Sequence, residues 1–229
     1  MIMKDFQMWI TYHHDEQIQQ HSLREDEHTR LFKGNDLQVG GDNINHLNAF
    51  YSEVVTLYWV WKNNAKSRLV GFSHYRRTFG RLLTLDRGEC QVLAVNSRCD
   101  VFRHYKLAHN YHDLCGVVDI LDDTYGKDNK YSHYLLEGGV FIPFCSFVMN
   151  WDDFLRLCNF LFGVLFEFDR RNGLCMDASL YREKAERDFP YDDVGYQQRF
   201  MGFLAERLIS CYLLQEMKVL CVNEINMKS

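Results

Sequence analysis

Short apolar runs bounded by polar residues recur along the chain, and they predict buried strands. Such segments are typical of the strands of an α/β sheet. They lie at residues 7–12, 69–72, 90–95, 138–149 and 219–222. Other segments have apolar residues at helical spacing, at residues 47–62, 153–170 and 197–208. We therefore expect an α/β fold with helices flanking the sheet, and the length of 229 residues favours a single domain over residues 1–229.

The strand predicted at residues 69–72 is followed directly by His74, Tyr75, Arg76 and Arg77. Ligands of α/β sheets bind beyond the carboxyl ends of the strands. An arginine offers a planar fork that matches phosphate oxygens. The pattern indicates a diphosphate or carboxylate site, and the alternative is a pair of solvated edge charges. Because neighbours in an extended segment face opposite ways, we expect only one arginine to reach the ligand unless the chain turns.

Histidines follow other predicted elements. His13 and His14 come after the first strand, next to Asp15. Adjacent side chains rarely bind one metal ion, so a turn or hydrogen bonds to a nucleotide base are favoured over a metal. His109 and His112 are three residues apart and would share a face of a helix predicted at residues 104–114. They indicate a helix surface with one ligand-facing histidine, with zinc as the weaker alternative.

A glycine pair precedes the helix predicted at residues 47–62. After it come Asp42, Asn43 and Asn45, any of which can cap that helix. Within the helix, Glu53 is either a solvated side chain or a sign that the helix presents its amino end to a ligand. Residues 17–36 are polar and are expected to run over the surface.

Composition narrows the class of protein. Hydrophobic residues make up 47% of the chain, which is enough for a full core, and the net charge of −5 provides no basic surface for nucleic acid. Eight cysteines occur without any Cys-x-x-Cys pair. We expect reduced thiols in a cytoplasmic protein without a signal peptide. No run of 18 apolar residues predicts a membrane span.

Three blocks of the sequence, taken together, resemble one bacterial family. They are GDNIN…N…YSE…TLYWVWKN at residues 41–63, VGFSHYRR at 70–77 and RFMGFLAERL at 199–208. The family was first listed as a domain of unknown function and is now grouped with glycosyltransferases of capsular and exopolysaccharide gene clusters. Its members commonly have Thr-His-Lys after the first strand, where this chain has Tyr12, His13, His14 and Asp15.

The resemblance implies a GT-A-like, Rossmann-type mixed sheet and a hexosyltransferase. The donor would be a UDP-sugar, with galactosyl or galactofuranosyl transfer among the options. The acceptor would be a polysaccharide or a lipid-linked oligosaccharide of capsule, exopolysaccharide or O-antigen synthesis. The enzyme would then act in the cytoplasm, with a peripheral contact at the inner face of the membrane as a hypothesis. The resemblance does not identify the donor sugar.

The resemblance also implies roles for individual residues. Arg76 and Arg77 would replace the metal ion that most GT-A enzymes use, so a metal-independent site is favoured, with manganese and magnesium left open. Other donor contacts would come from His13, Asp42, Asn43, Asn45, His74 and Tyr75. The candidate bases for an inverting transfer are Glu206, Asp193 and Asp192. His109 and Arg207 would line the acceptor side of the cleft.

Two other functions compete with this interpretation. The aromatic content of 15% also suits a non-catalytic carbohydrate-binding or assembly subunit. A metal-dependent hydrolase would use the histidines at positions 13, 14, 109 and 112 with the paired aspartates. The first would bind sugars without turning over a nucleotide sugar, and the second would purify with stoichiometric metal.

Overall fold

The structure is a computed structural model that describes residues 4–188 and 193–221. Within these ranges, six strands form one mixed sheet in the order β2-β1-β3-β5-β4-β6. Their bounds are β1 Lys4–Tyr12, β2 Thr29–Lys33, β3 Ser67–His74, β4 Glu89–Val92, β5 Phe147–Asn150 and β6 Lys218–Cys221. The expected α/β fold with a mixed sheet and flanking helices is confirmed.

Strand direction gathers loops from distant parts of the chain at one edge of this sheet. β1 runs parallel to both β2 and β3, so that Tyr12 pairs with Lys33 and Thr11 with His74. β5 runs antiparallel to β3 and begins opposite the last residues of that strand, at Phe147. The carboxyl ends of β1, β2 and β3 therefore meet the loop that enters β5. We call this side of the sheet the carboxyl edge.

The helices pack mainly on one face of the sheet. Their bounds are α1 Glu16–Gln20, α2 Asn48–Tyr51, α3 Val54–Lys62, α4 Val101–Ala108, α5 Tyr111–Tyr125, α6 Lys130–Glu137, α7 Trp151–Arg171, α8 Ala178–Asp188, α9 Val194–Gln197 and α10 Phe200–Glu216. The main core lies between these helices and side chains such as Trp9, Val70 and Phe72. A smaller cluster around Met8, Ile10 and Leu69 covers the opposite face. No described helix is long and apolar enough to cross a membrane.

Several predicted boundaries were wrong. The helix expected at residues 47–62 is interrupted at Ser52, whose φ of +53° lies in the left-handed region and separates α2 from α3. The segment 104–114 also holds two helices, and His109 lies between them instead of sharing a helical face with His112. Similarly, the segment 197–208 spans the end of α9 and the start of α10.

Strand predictions also need correction. Residues 17–36 contain α1 and the edge strand β2, which pairs only with β1 among the described strands. Of the segment 138–149, only the end enters β5. The prediction at 90–95 corresponds to β4, and that at 219–222 to β6, with residue 222 outside the described ranges.

The helix predicted at 153–170 is confirmed as α7, because its apolar residues repeat at helical spacing over five turns.

A buried ion pair joins α5 to α8. The Nζ of Lys184 lies 2.8 Å from Asp113 Oδ1 and 2.5 Å from Asp188 Oδ2. The Lys184 and Asp113 side chains are each only 5% exposed. Burial raises the pKa of Asp113, and Lys184 opposes that rise. The ammonium group therefore compensates two carboxylates that are otherwise shielded from water.

We predict that Lys184→Met lowers the free energy of unfolding by about 3–5 kcal/mol, because it leaves the buried carboxylate of Asp113 without its cation, whereas Asp188 keeps its contact with Arg187. Chemical denaturation followed by circular dichroism measures this loss. Lys218→Met is the matched control, since Lys218 lies 2.8 Å from Glu89 but is 70% exposed. Equal losses in the two variants would contradict the importance of the buried pair.

Candidate active site

Two adjoining clefts open at the carboxyl edge. The inner cleft, of about 310 Å³, lies between the end of β3, the α2–α3 junction, the end of α4, the loop before β5 and α10. The outer cleft, of about 630 Å³, lies over the ends of β1 and β2. Ser52, His74, Arg76 and Arg199 line both clefts and form their junction. Polar groups from both halves of the chain therefore face one continuous space.

The chain turns directly after β3, and this turn brings both arginines of the HYRR sequence to the inner cleft. The Arg77 amide donates to the His74 carbonyl at 2.8 Å. The Arg77 guanidinium lies 3.5 Å from the centre of the Phe144 ring, in a cation–π contact. Burial, followed by the nearby Arg76, lowers the pKa of Arg77. The sequence analysis expected only one arginine to reach the ligand unless the chain turned after the strand. The chain does turn here, and Arg76 and Arg77 both line the cleft.

His74 is held as a neutral imidazole beneath these arginines. It is 5% exposed, and its Nδ1 accepts a hydrogen bond from the Arg76 amide at 3.4 Å. Burial and then Arg76 lower the pKa of His74 from 6.5 to about 2. His74 therefore adds a dipole to the site but no positive charge at neutral pH.

A third arginine reaches the junction of the clefts from the start of α10. The Nε of Arg199 donates to the Ser52 hydroxyl at 2.9 Å. The left-handed conformation of Ser52 places this hydroxyl between two helices. On the other side, Gly202 fits closely, because a Cβ there would lie 3.2 Å from the same oxygen. Arg199, like Arg76, borders both clefts, whereas Arg77 lines the inner cleft, so two arginines lie at the junction and a third lies beside it.

The carboxylate of Glu206 lies in the inner cleft and is fixed at both oxygens. Its Oε1 accepts from the Phe144 amide at 2.7 Å, and its Oε2 lies 2.6 Å from Arg207 Nη1. Burial raises the pKa of Glu206, although Arg207 and the Phe144 amide oppose that rise. Arg207 is 2% exposed and also donates to His104 Nδ1 at 2.9 Å. The result is an oriented carboxylate with an increased affinity for a proton.

Glu53 supplies a second carboxylate to the inner cleft. It precedes α3 directly, next to Ser52. Its charge raises the pKa of both Glu206 and Arg77, so it lies within electrostatic range of both groups. The sequence left two alternatives for Glu53, a solvated surface residue or a helix start that faces a ligand. The structure agrees with the second, because Glu53 lines the inner cleft.

An aromatic wall closes one side of the inner cleft. The His109 ring is stacked on Phe203, with centroids 3.8 Å apart and an angle of 19°. Tyr196 lies beyond them, 6.1 Å from His109 and 5.0 Å from Phe203. Burial lowers the pKa of His109 to about 4, with Arg207 as the next cause. At neutral pH the His109 ring is therefore uncharged.

The outer cleft is lined mainly by amide and imidazole groups. His13, Asn45, Tyr75 and His74, which the sequence analysis proposed as donor contacts, all border it. The end of β2 approaches closely, because a Cβ at Gly34 would lie 2.6 Å from the Asn48 side chain and 3.3 Å from the His13 ring. This close approach packs the chain after β2 against two residues that line the cleft.

Other candidates lie elsewhere. Asp42 accepts from the Tyr58 hydroxyl at 3.0 Å, and its backbone pairs with the Asn63 side chain. Asn43 donates to the carbonyls of Val39 and Gly41. Neither residue lines the two clefts. Instead they fix the loop before α2, where Gly41 has a φ of +83° and a Cβ would collide with Asn63.

Asp193, one of the aspartates considered as bases, differs from Glu206 in position. It is exposed, does not border either cleft, and accepts from the Gly195 amide at 2.9 Å at the start of α9. Asp192 lies outside the described residues. Of the two candidates that the structure describes, Glu206 is therefore the one that lines the inner cleft.

Metal-ligating groups do not converge in the part of the chain that the structure describes. Within residues 4–188 and 193–221, no three His, Cys, Asp or Glu side chains are arranged to hold an ion. His13 borders the outer cleft and His109 the inner one, while His112 is exposed on α5. The charged groups that do converge on the junction are guanidinium groups.

Because burial holds His74 neutral, we predict that it makes the protein less stable in acid. Between pH 6.5 and 4.5 the unfolded chain binds a proton at this histidine, whereas the folded chain does not until about pH 2. The unfolded state thus binds more protons, and the free energy of unfolding decreases by about 2–3 kcal/mol from this group as the pH is lowered through this range. His74→Asn should remove that part of the pH dependence in urea denaturation, and an unchanged slope would contradict it.

Comparisons with known proteins agree with this architecture. The chain is similar to the apo structure of WbbM, described as a bifunctional glycosyltransferase, with a TM-score of 0.71 and 18% sequence identity. The match covers 97% of this chain and 45% of the other, so the two share a fold over less than half of WbbM. No curated protein matches the chain. A family model described as a domain of unknown function (DUF4422) matches residues 10–95 and 91–217, and the protein is therefore a member of that family.

Proposed function

We propose that the protein is a glycosyltransferase that moves a hexosyl unit from a UDP-sugar to a saccharide acceptor. The observation that carries this proposal is one cleft in which Arg76, Arg77 and Arg199 face the carboxylates of Glu53 and Glu206. Such a cleft pairs cations for a leaving diphosphate with a base for an incoming hydroxyl. The fold shared with WbbM supports the same reaction class.

The diphosphate of the donor would lie at the junction of the clefts. Guanidinium groups form short, bidentate hydrogen bonds with phosphate oxygens. Arg76 and Arg199 border both clefts, so a ligand that spans the junction would contact both. The nucleoside would then occupy the outer cleft, among His13, Asn45 and Tyr75. This arrangement places the anomeric carbon of the donor at the entrance of the inner cleft.

The arginines would stabilise the departing UDP without a metal ion. The chemical requirement is positive charge near the oxygen that becomes the leaving group. The three arginines of the inner cleft would supply this charge. We therefore propose a metal-independent transfer, and equal activity in EDTA and in manganese would support it.

Glu206 is the proposed general base. In an inverting transfer, the base takes the proton of the acceptor hydroxyl as that oxygen attacks the anomeric carbon and UDP departs. The Phe144 amide and Arg207 orient the carboxylate, while burial raises its pKa toward the working pH. Glu53, in the same cleft, would keep the local charge balanced against the arginines.

The acceptor would belong to capsule, exopolysaccharide or O-antigen synthesis, with galactosyl or galactofuranosyl transfer as the proposed chemistry. An acceptor of this kind is a polysaccharide or a lipid-linked oligosaccharide. A lipid-linked acceptor would require a peripheral contact with the inner face of the cytoplasmic membrane. Flotation with anionic liposomes tests that contact, and absence of binding would count against it.

We predict that Arg76→Ala and Arg199→Ala each weaken UDP binding at least tenfold, because each removes charge-assisted hydrogen bonds worth about 1.5–3 kcal/mol. Isothermal titration calorimetry measures the affinity. Arg170→Ala is the control, since Arg170 is 72% exposed and pairs with Glu167 on α7. Unchanged UDP affinity in both site variants would contradict the proposed diphosphate site.

Glu206→Gln should lower the rate of UDP release from UDP-galactose by about 10²–10⁴-fold, because glutamine cannot accept the proton. UDP affinity should stay within about threefold of the wild type, since the arginines are unchanged. Asp193→Asn serves as the comparison and should retain the wild-type rate. If Asp193→Asn were the inactive variant instead, the base would be misassigned. A coupled assay for released UDP gives both rates.

A further inference from the structure

The aromatic wall of the inner cleft has no part in binding a diphosphate or in proton transfer. It consists of His109, Phe203 and Tyr196, and none of these three rings lines the outer cleft. The wall therefore begins where the proposed donor site ends.

The position of the wall is fixed relative to the reacting groups. Phe203 lies on α10 four residues after Arg199 and three residues before Glu206, and all three side chains line the inner cleft. Residues at this spacing share one face of a helix. The Phe203 ring is thus located between the cation that would hold the diphosphate and the carboxylate that would act as base.

Neighbouring groups hold the rings in place. The Gln197 side chain donates to the Ala108 carbonyl at 2.9 Å and lies 3.3 Å from His109 Nδ1. These contacts connect the end of α4 with α9. Since His109 is also stacked on Phe203, the rings form a preorganised surface that would cost little conformational entropy to use.

Exposure increases along the wall toward solvent. Phe203 and His109 are half-buried, whereas Tyr196 is 47% exposed. The donor ends at its hexosyl unit, which would lie within the cleft, so no part of the donor would extend outward along the wall. An acceptor that carries further sugars has to leave the cleft, and an exposed ring at the mouth provides a contact on that path.

We propose that the aromatic wall binds the apolar face of the acceptor's terminal sugar ring, with Tyr196 as its outermost contact. The inference deepens the proposed glycosyltransferase function and rests on it. A pyranose ring exposes C–H groups on one face and hydroxyls around its edge. The rings cover the apolar face, and the polar edge then points toward Glu206 and Glu53 on the floor of the cleft.

The test measures sugar binding directly, with methyl β-D-galactopyranoside and methyl α-D-glucopyranoside as probes. Saturation-transfer difference NMR on the full chain, with UDP present, reports which probe protons contact the protein. We expect the strongest transfer to the C–H protons of one ring face. Tyr196→Ala should reduce this transfer at least threefold, and Tyr196→Phe should preserve it, because the ring and not the hydroxyl makes the contact.

Tyr125→Ala is the matched control, since Tyr125 is 46% exposed and packs on Tyr131 and Phe160, away from both clefts. It should leave the transfer unchanged. Equal transfer in wild type and Tyr196→Ala, or none to either probe in the wild type, would overturn the inference. UDP calorimetry on the same samples separates the two proposals, because Tyr196→Ala should bind UDP like the wild type. Failure of the wild type to bind UDP would instead refute the proposed function.

Discussion

The ion pair between Glu206 and the buried Arg207 holds together the parts of the chain on which the candidate site depends. Glu206 also accepts from the amide of Phe144 before β5, and Arg207 donates to His104 on α4. Removing a guanidinium from water is costly, and a well-oriented carboxylate with further hydrogen bonds compensates that cost. Removing either partner would leave an isolated charge in the interior. The same contacts that support the fold therefore orient the proposed base.

The sequence predicted those elements whose patterns are local. α7 repeats its apolar residues over five turns, and β3 is buried along nearly its whole length. By contrast, β2 is only partly buried at the sheet edge, so its pattern resembles that of a surface loop. The break at Ser52 was not predictable either, because a serine adopts a positive φ only when its surroundings stabilise that strained conformation.

A similar division applies to the candidate site. His74, Arg76 and Arg77 were proposed from the sequence because they come at the end of a strand, and the carboxyl-end rule needs no knowledge of tertiary contacts. Arg199 becomes a functional candidate only when α10 packs against the α2–α3 junction, since its sole signal in the sequence was its place in the block at residues 199–208. Glu53 also stood out as a charged residue within a predicted helix, but the sequence left its role open. Asp42 was proposed as a donor contact, and the structure places it in the loop before α2, where it accepts from Tyr58. The same residue types that bind ligands also stabilise turns, so the sequence does not separate the two roles.

α10 and its N-cap place Arg199, Phe203 and Glu206 on one face, and these are the proposed diphosphate cation, acceptor contact and base. Glu206 lies seven positions after Arg199, which corresponds to about 10 Å along a helix axis. The helix thus fixes the distance between these groups, because motion of the surrounding loops cannot change it. A single residue inserted between them would rotate Glu206 by about 100° away from the cleft. The number of residues between Arg199 and Glu206 is therefore fixed by the geometry of the cleft.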